Sequence, residues 1–592
     1  MTEELSLAGY IDLDKKIDSR KAALKGGVRI AIAGSFTLNG FKEALNVKCH
    51  ETGLGASFYV DGYNNYVQAL ADKKSGLYRF GPDVTFLIID ARSLLGGAYL
   101  EPYSITAVAR KRLSRDVYGK IESLVDVFMK HGRGILVINN MEVPWNSPAG
   151  ILEKKEGFGY FEMVGEINRL MNHGIAKRKG VYLFDYDSFA SGLGKRNVVD
   201  RKMLYIADMK VSPDIIPALC DEYMRYIRAF KGLSKKCLVL DMDNTLWGGI
   251  LGEDGFEGIR LGPTPPGNAY MEFQSRLAAL YDRGIILAVN SSNNKDDCLK
   301  VLREHPYMIL KEKHFASIRI NWESKVKNMV DIAREINIGF DGIIFLDDDK
   351  RVRQIVKRAL PEVVCPDLPE DHSLYASFLE GLKGLDSLQI TAEDRTRGRQ
   401  YAEERKRSET KAVFRDLSVY LEHLRTVALI KKADRFSIPR ISQLTIRTNQ
   451  FNLSGERLDE KAVEGLANDK RRLVYSVSIG DRYGDYGITG AVIINREKED
   501  WVISSFLLSC RVLGKDVEYA ILSSIIKMAK KEGVERVLLR FVKTEKNVPA
   551  LRFLRLNGVP VPEHKAAVYP VIYSYGKSAF PNKIRHVKVV SA

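Results

Sequence analysis

The chain has 592 residues, 45% of them hydrophobic and 28% charged, with a formal net charge of +16. The length is too great for one core and suggests three domains. The composition is that of ordinary globular protein, and the longest apolar runs are strand-length, so no membrane span is expected.

Six scattered cysteines without a CxxC pair predict a reduced, cytoplasmic protein without a zinc site. The start, MTEELSLAGYIDLDKK, has early acids and no apolar stretch, so no signal peptide is expected. The positive charge suits phosphorylated metabolites or an acidic partner protein. No Arg/Lys-aromatic motif or single basic block points to nucleic acid.

From 28 to about 230, strand-like runs (VRIAIAG, DVTFLIIDA, GILVINN, GVYLFDY) alternate with helical stretches, the pattern of a parallel α/β domain. A second α/β series starts at 237 with CLVLD, IILAVN, IIFLD and EVVCP, and the turn-rich LGPTPPGN breaks its first crossover. A charged helical connector begins at Thr391, where TAED reads as a capping box. From about 426 the pattern is mixed α+β, with a helix expected over 516–531. The expected domains are 1–230, 231–385 and 386–592.

The second series carries the chemistry. CLVLDMDNT ends an apolar run in Asp241 and Asp243, with Thr245 two residues further. Reactive groups gather where parallel strands end at their carboxyl edge. One carboxylate could attack a phosphoryl group while the other manages the proton. A phosphate dianion needs a cation to approach two carboxylates, which points to Mg²⁺ and further acids. GIIFLDDDK supplies Asp347 and Asp348 at the end of a later run, IILAVNSSN supplies Ser291, and NWESK supplies Lys325. Each piece alone is commonly a turn, cap or surface charge; the ordered set is not. The short intervals between these residues leave no room for a large lid.

This set resembles the haloacid dehalogenase superfamily of aspartate-based phosphotransferases, whose first motif, DxDxT, matches Asp241, Asp243 and Thr245. The resemblance implies Asp241 as nucleophile and Asp243 as general acid/base. It implies Ser291 and Lys325 holding the phosphoryl group, and Asp241, Asp243, Asp347 and Asp348 around Mg²⁺.

A narrower resemblance rests on LDMDNTLWGGILGEDG, NWESK, IPRISQLTIRTNQFNLS, GDYGITG and FLLSCRVLGKDVE, which together look like the FkbH-like family. It implies an SGNH-hydrolase-like α/β domain, a haloacid dehalogenase-type Rossmann-like domain without a large cap, and a GNAT-like α+β domain. The implied chemistry removes phosphate from 1,3-bisphosphoglycerate and loads the glyceryl group on the phosphopantetheine thiol of an acyl carrier protein, feeding polyketide-type extender units.

The chain departs from the family pattern at three places. Asn290 stands where many members have a cysteine, so an acyl-enzyme would need another thiol, Cys510 first and Cys298 second. In the candidate pantetheine loop RVLGKD, Arg511 and Gly514 fit, but Asp516 fills a small-residue position and would repel pyrophosphate. Ser35 and Thr37 lie near a strand end, yet Val211 follows Asp208 where a hydrolase would need histidine, so the first domain reads as a docking or structural module. Two other functions stay open: a plain phosphatase with degenerate flanking domains, and a scaffold that recruits a carrier protein.

Overall fold

The computed structural model describes residues 5–17, 27–175, 177–390, 392–414, 416–448, 450–497, 500–543, 547–556, 569–574, 584 and 586–591. The chain divides into two compact units, Met1–Lys235 with Lys383–Gln389, and Lys236–Leu382 with Ile390–Ala592. The mixed α/β class expected from the sequence holds in both. Among the described residues no helix is long and apolar enough to cross a membrane.

In the first unit, strands β1 (Val28–Gly34), β2 (Ala56–Val60), β3 (Val84–Ile88), β4 (Ile135–Asn139) and β5 (Val181–Phe184) form a parallel sheet in the order β2-β1-β3-β4-β5. β3 and β4 are buried at every position, as strands covered on both faces must be. Helices Ala107–His131 and Tyr160–Ile175 pack on one face and Phe41–Glu51 and Ile216–Lys231 on the other. The returning segment is tied down by Arg225, whose guanidinium donates to both Asp386 oxygens at 2.9 and 2.8 Å. The strand order turns back at β1, between β2 and β3, which opens a crevice at the carboxyl edge there.

The second unit holds two sheets. Strands β6 (Cys237–Leu240), β7 (Ile286–Ser291), β8 (Phe315–Ile320) and β9 (Ile343–Leu346) are parallel, in the order β8-β7-β6-β9. The expected strand EVVCP is reduced to a single bridge, Ile344 to Val364. Pro361 and Pro366 bracket it, and neither can donate to a ladder. The insertion after β6 is small, a kinked helix Leu251–Gly258 framed by a Gly248–Arg260 bridge.

The other sheet runs β16-β15-β14-β13-β12-β10-β17. Its strands are β10 (Thr426–Lys432), β12 (Arg472–Asp481), β13 (Gly484–Glu497), β14 (Asp500–Leu508), β15 (Arg536–Phe541), β16 (Tyr569–Ser574) and β17 (Val587–Ser591). β10 alternates buried and exposed residues, so one face of the sheet meets solvent there. β14 pairs with β15 only over Asp500–Ile503. Where the two strands part, the chain inserts its own short β11 (Phe451–Asn452), paired to Leu507 and Leu508. Leu453 continues the wedge, donating to the Phe506 carbonyl at 3.0 Å and accepting from the Val542 N–H at 2.8 Å.

The connector is the helix Ala392–Val413; its expected cap, Thr391, lies outside the described residues. It joins the two sheets of this unit through Arg405, which pairs with Glu312 at 3.4 Å, and Arg407, which holds both Asp481 oxygens at 2.8 Å.

Candidate functional site

β6 lies between β7 and β9, so the ends of these three strands, far apart in sequence, meet at one edge. Asp241 follows β6 directly, its N–H bound to the Leu346 carbonyl at the end of β9. Asp347 follows β9 and is wholly buried. Lys325 opens the helix Lys325–Glu335, capped by Ser324. Its Nζ lies 2.9 Å from Asp241 Oδ2 and 2.6 Å from Asp347 Oδ2.

Asp241, Asp347 and Asp348 each offer a carboxylate oxygen within 4.8 Å of the others. Asp241 Oδ1 is buried without a hydrogen-bond partner among the described residues. Three converging carboxylates fit a hard, oxygen-seeking divalent cation.

The electrostatics agree. Burial, and then the charge of Asp241, push the Asp347 carboxyl up to about 6 against the opposing pull of Lys325. Asp348 reaches solvent, but crowding by the protein and then the Asp241 charge push it to about 6 as well. Burial lowers the Lys325 pKa, yet Asp241 and Asp347 outweigh it and hold the ammonium above its ordinary value.

Asp243 is placed differently from the metal-facing acids. The chain does not stay extended after Asp241: Asn244 is left-handed (φ 51°) and the Thr245 N–H turns back to the Met242 carbonyl. The Asp243 carboxylate accepts from Trp247 Nε1 at 2.9 Å, the Leu251 N–H at 3.1 Å and Asn293 Nδ2 at 2.8 Å. It is not part of the three-carboxylate group. Burial raises its pKa beyond what those donors lower it. Thr245 is fully buried and its hydroxyl has no hydrogen-bond partner among the described residues. Ser291 closes β7, nearly fully buried, its carbonyl accepting from Asn321.

Sequence reasoning missed Asn293, Trp247 and Tyr375, whose hydroxyl donates to the Asn244 carbonyl at 3.1 Å. The polar run NSSNN, which closes β7 and continues past it, was the available signal for Asn293. Asn290 is wholly buried and its amide donates to the Lys325 carbonyl at 2.9 Å. The residue standing in the cysteine position therefore fixes the start of the lysine's helix. Beside Asp348 an open cavity of about 580 Å³ is lined by Asn244, Arg260, Lys350, Arg353 and His372 among others.

The remaining candidates lie in the other sheet of the unit. Cys510 opens a 3-10 turn over Cys510–Val512; its side chain lies outside the described residues. Arg511 is engaged by Gln400 of the connector helix and by Ser509 Oγ at 3.4 Å. Gly514 takes φ 76°, which glycine adopts freely. Asp516 heads the helix Val517–Lys531 at φ 59°, its carboxylate 3.3 Å from His586 Nε2. Cys298 is buried, and burial raises its thiol far above the ordinary range.

Comparison with known proteins adds the following. The family model described as "FkbH, N-terminal domain" matches residues 29–228. Among solved structures, the N-terminal part of the protein BF1531 from Bacteroides fragilis, containing a phosphatase domain complexed with Mg, is 26% identical with a TM-score of 0.59. That match covers 65% of this chain and 100% of the other. The ribosomal-protein-S18-alanine N-acetyltransferase from Escherichia coli matches 23% of this chain and 79% of its own, at 14% identity and a TM-score of 0.19. PaiA N-acetyltransferase from Thermoplasma acidophilum, in complex with coenzyme A, matches 25% and 99%, at 13% identity and 0.19. No curated protein matches the chain.

Proposed function

We propose that this FkbH-like chain is a Mg²⁺-dependent phosphatase of haloacid dehalogenase type that works through an aspartyl-phosphate on Asp241. The observation that carries the reading is the buried, unpartnered Asp241 Oδ1 beside Lys325, Asp347 and Asp348 at one sheet edge. Asp241, Asp347 and Asp348 would hold the Mg²⁺, which when bound screens the phosphate charge and polarises its oxygens. Lys325 occupies Oδ2 of Asp241. That leaves Oδ1 as the nucleophilic lone pair. As the Oδ1–P bond forms and the bond to the leaving oxygen breaks, Asp243 gives that oxygen its proton. The same carboxylate then takes a proton from the water that cleaves the aspartyl-phosphate. The burial that raises the Asp243 pKa favours its holding that proton.

The finer reading is that of the family resemblance. The substrate is 1,3-bisphosphoglycerate, and the glyceryl group passes to the phosphopantetheine thiol of an acyl carrier protein. Arg260 and Lys350 in the cavity beside Asp348 suit a second anionic group on the substrate. A basic surface suits an acidic carrier. The five cysteines whose side chains are described are all buried, with thiol pKa values raised chiefly by burial. This favours direct attack of the carrier thiol on the acyl phosphate over an acyl-enzyme on any of them. The first domain reads as SGNH-like and non-catalytic, and the last as GNAT-like. A plain phosphatase is the second reading, favoured by the structural role of Asn290.

The test uses purified protein, Mg²⁺ and freshly made 1,3-bisphosphoglycerate, with and without carrier protein, reading released phosphate and intact masses. Phosphate release and a glyceryl-sized mass gain on the carrier are expected. Asp241→Asn should reduce release by about 10³-fold or more, the scale of losing a nucleophile. Full release in that variant would refute the assignment, and release without carrier loading would leave the plain phosphatase.

A further inference from the structure

The first unit has a cavity of its own, lined by residues other than those around Asp241. A cavity of about 440 Å³ opens at the carboxyl edge of its sheet, lined by Phe36 after β1 and by Asp90 and Arg92 after β3. This is the crevice where the strand order turns back, the usual ligand position in an open parallel sheet. Its volume falls in the range of about 300–1,000 Å³ typical of small-molecule pockets.

Three arginines line it: Arg92, Arg196 and Arg201. None makes an ion pair with a carboxylate among the described residues. By contrast, the lysines of the same wall are neutralised, Lys195 by Asp187 at 2.6 Å and Lys210 by Asp208. Asp90 is already committed, accepting from Ser35 Oγ at 2.7 Å and from Ser93. The three arginines therefore line an open cavity free of direct ion pairs, in a wall whose acids are Asp90 and Glu142.

Rings flank the charges: the Arg196 guanidinium lies 4.3 Å from the Trp145 centroid and that of Arg92 lies 5.7 Å from Tyr205. Tyr186 is only 8% exposed, lines the same cavity, and its hydroxyl has no hydrogen-bond partner among the described residues. A buried orphan hydroxyl costs free energy unless something pairs with it. Burial, then the charges of Glu142 and Asp90 in the same wall, raise its pKa, so it stays a neutral donor.

We propose that this cavity binds a small organic anion, a phosphate or carboxylate on a planar or apolar body, with Arg92, Arg196 and Arg201 taking the anion and Tyr186 donating to it. It binds rather than hydrolyses. The lining contains no histidine or cysteine, Val211 fills the position where the sequence would need a histidine, and Ser35 donates to Asp90 and is not part of the lining. The inference does not depend on the phosphatase reading.

Phenylphosphonate is the probe, because it joins a ring to a dianion through a bond that phosphatase chemistry does not cleave. Its binding to the full wild-type chain is measured by calorimetry in EDTA and located by hydrogen exchange. Saturable binding with protection in 139–148 and 195–205 is expected. Arg196→Ala with Arg201→Ala should weaken it about tenfold or more, and Tyr186→Phe about two- to tenfold, on the scale of lost charged and neutral hydrogen bonds. Methylphosphonate, without the ring, should bind at least about tenfold more weakly, by the apolar area it lacks. Both arginines are exposed and phenylalanine keeps the Tyr186 ring, so the variants retain the fold and should release phosphate at the wild-type rate. The proposal is overturned by absence of saturable binding, by binding indifferent to these variants, or by protection confined to the surroundings of Asp241. Equal affinity for methylphosphonate overturns the class of ligand assigned.

Discussion

Lys325→Met removes the cation that lies between two buried carboxylates while keeping an apolar chain of similar length. Nζ lies 2.9 Å from Asp241 and 2.6 Å from Asp347, and the three side chains are 10, 10 and 0% exposed. At an effective dielectric of about 20 each contact is a Coulomb attraction of roughly 6 kcal/mol. The cost of burying the ammonium cancels much of that, and breaking such a buried pair typically destabilises by about 3–5 kcal/mol. The assay is thermal unfolding in EDTA, followed by fluorescence of Trp247 and Trp501, both buried in the second unit. A fall of roughly 5 °C or more is expected at pH 7.5.

The pH dependence identifies the cause. Lys325 opposes the burial that pushes Asp347 to about 6, so without the lysine that carboxyl rises further. A carboxyl whose folded pKa exceeds its unfolded value costs stability increasingly as pH climbs from the unfolded value to the folded one, and at pH 5, below the folded value in variant and wild type alike, that cost is the same in both. The deficit of the variant should therefore shrink markedly at pH 5. In the wild type the Lys325 pKa is raised, so its contribution is whole below 10.5 and is lost only as pH rises through the folded value. Equal deficits at pH 5 and pH 7.5 would refute uncompensated charge as the cause.

Three further outcomes are expected. Asn293→Ala removes the 2.8 Å hydrogen bond to Asp243 and should lower kcat for phosphate release about tenfold or more with KM little changed, whereas a KM effect alone would deny it a positioning role. Arg407→Ala leaves Asp481, which is wholly buried as a side chain, without its bidentate partner. It should cost about 3–5 kcal/mol in urea unfolding of the second unit; a loss under 1 kcal/mol would contradict this.

Glu518 is 8% exposed with Oε2 unpartnered, and burial, helped by the Asp516 charge, pushes it to about 7. Its folded pKa lies above the unfolded 4.5, so it withdraws stability as pH rises from 4.5 to 7. Glu518→Gln should flatten that slope and gain up to about 3 kcal/mol above pH 7, while parallel wild-type and variant curves would count against it.

The sequence by itself determined the strands and the acids at their ends. CLVL, ILAVNS and IIFL are apolar runs of strand length closed by polar residues, and that pattern is local, so Asp241, Ser291 and Asp347 were legible at strand ends before any fold was known. The spacing also showed that no large lid could intervene, and the insertion after β6 is indeed one short helix. Periodicity could not say that EVVCP lacks partners, because pairing depends on neighbours distant in the chain.

Tertiary structure alone decided the rest. Strand order puts β6 between β7 and β9, and only this brings Lys325 between Asp241 and Asp347. The turn closed between Met242 and Thr245 leaves Asp243 outside the three-carboxylate group and bonded to Trp247 and Asn293. Asn290 supports the lysine's helix, and the Arg511 side chain bonds to Gln400 of the connector. That the cavity arginines of the first unit lack direct ion pairs is likewise invisible in sequence, since an ion pair missing is a fact about spatial neighbours. Local pattern fixes which face of an element is apolar; which charged groups meet across the sheet edges follows from packing, which sums contacts between residues tens to about a hundred positions apart.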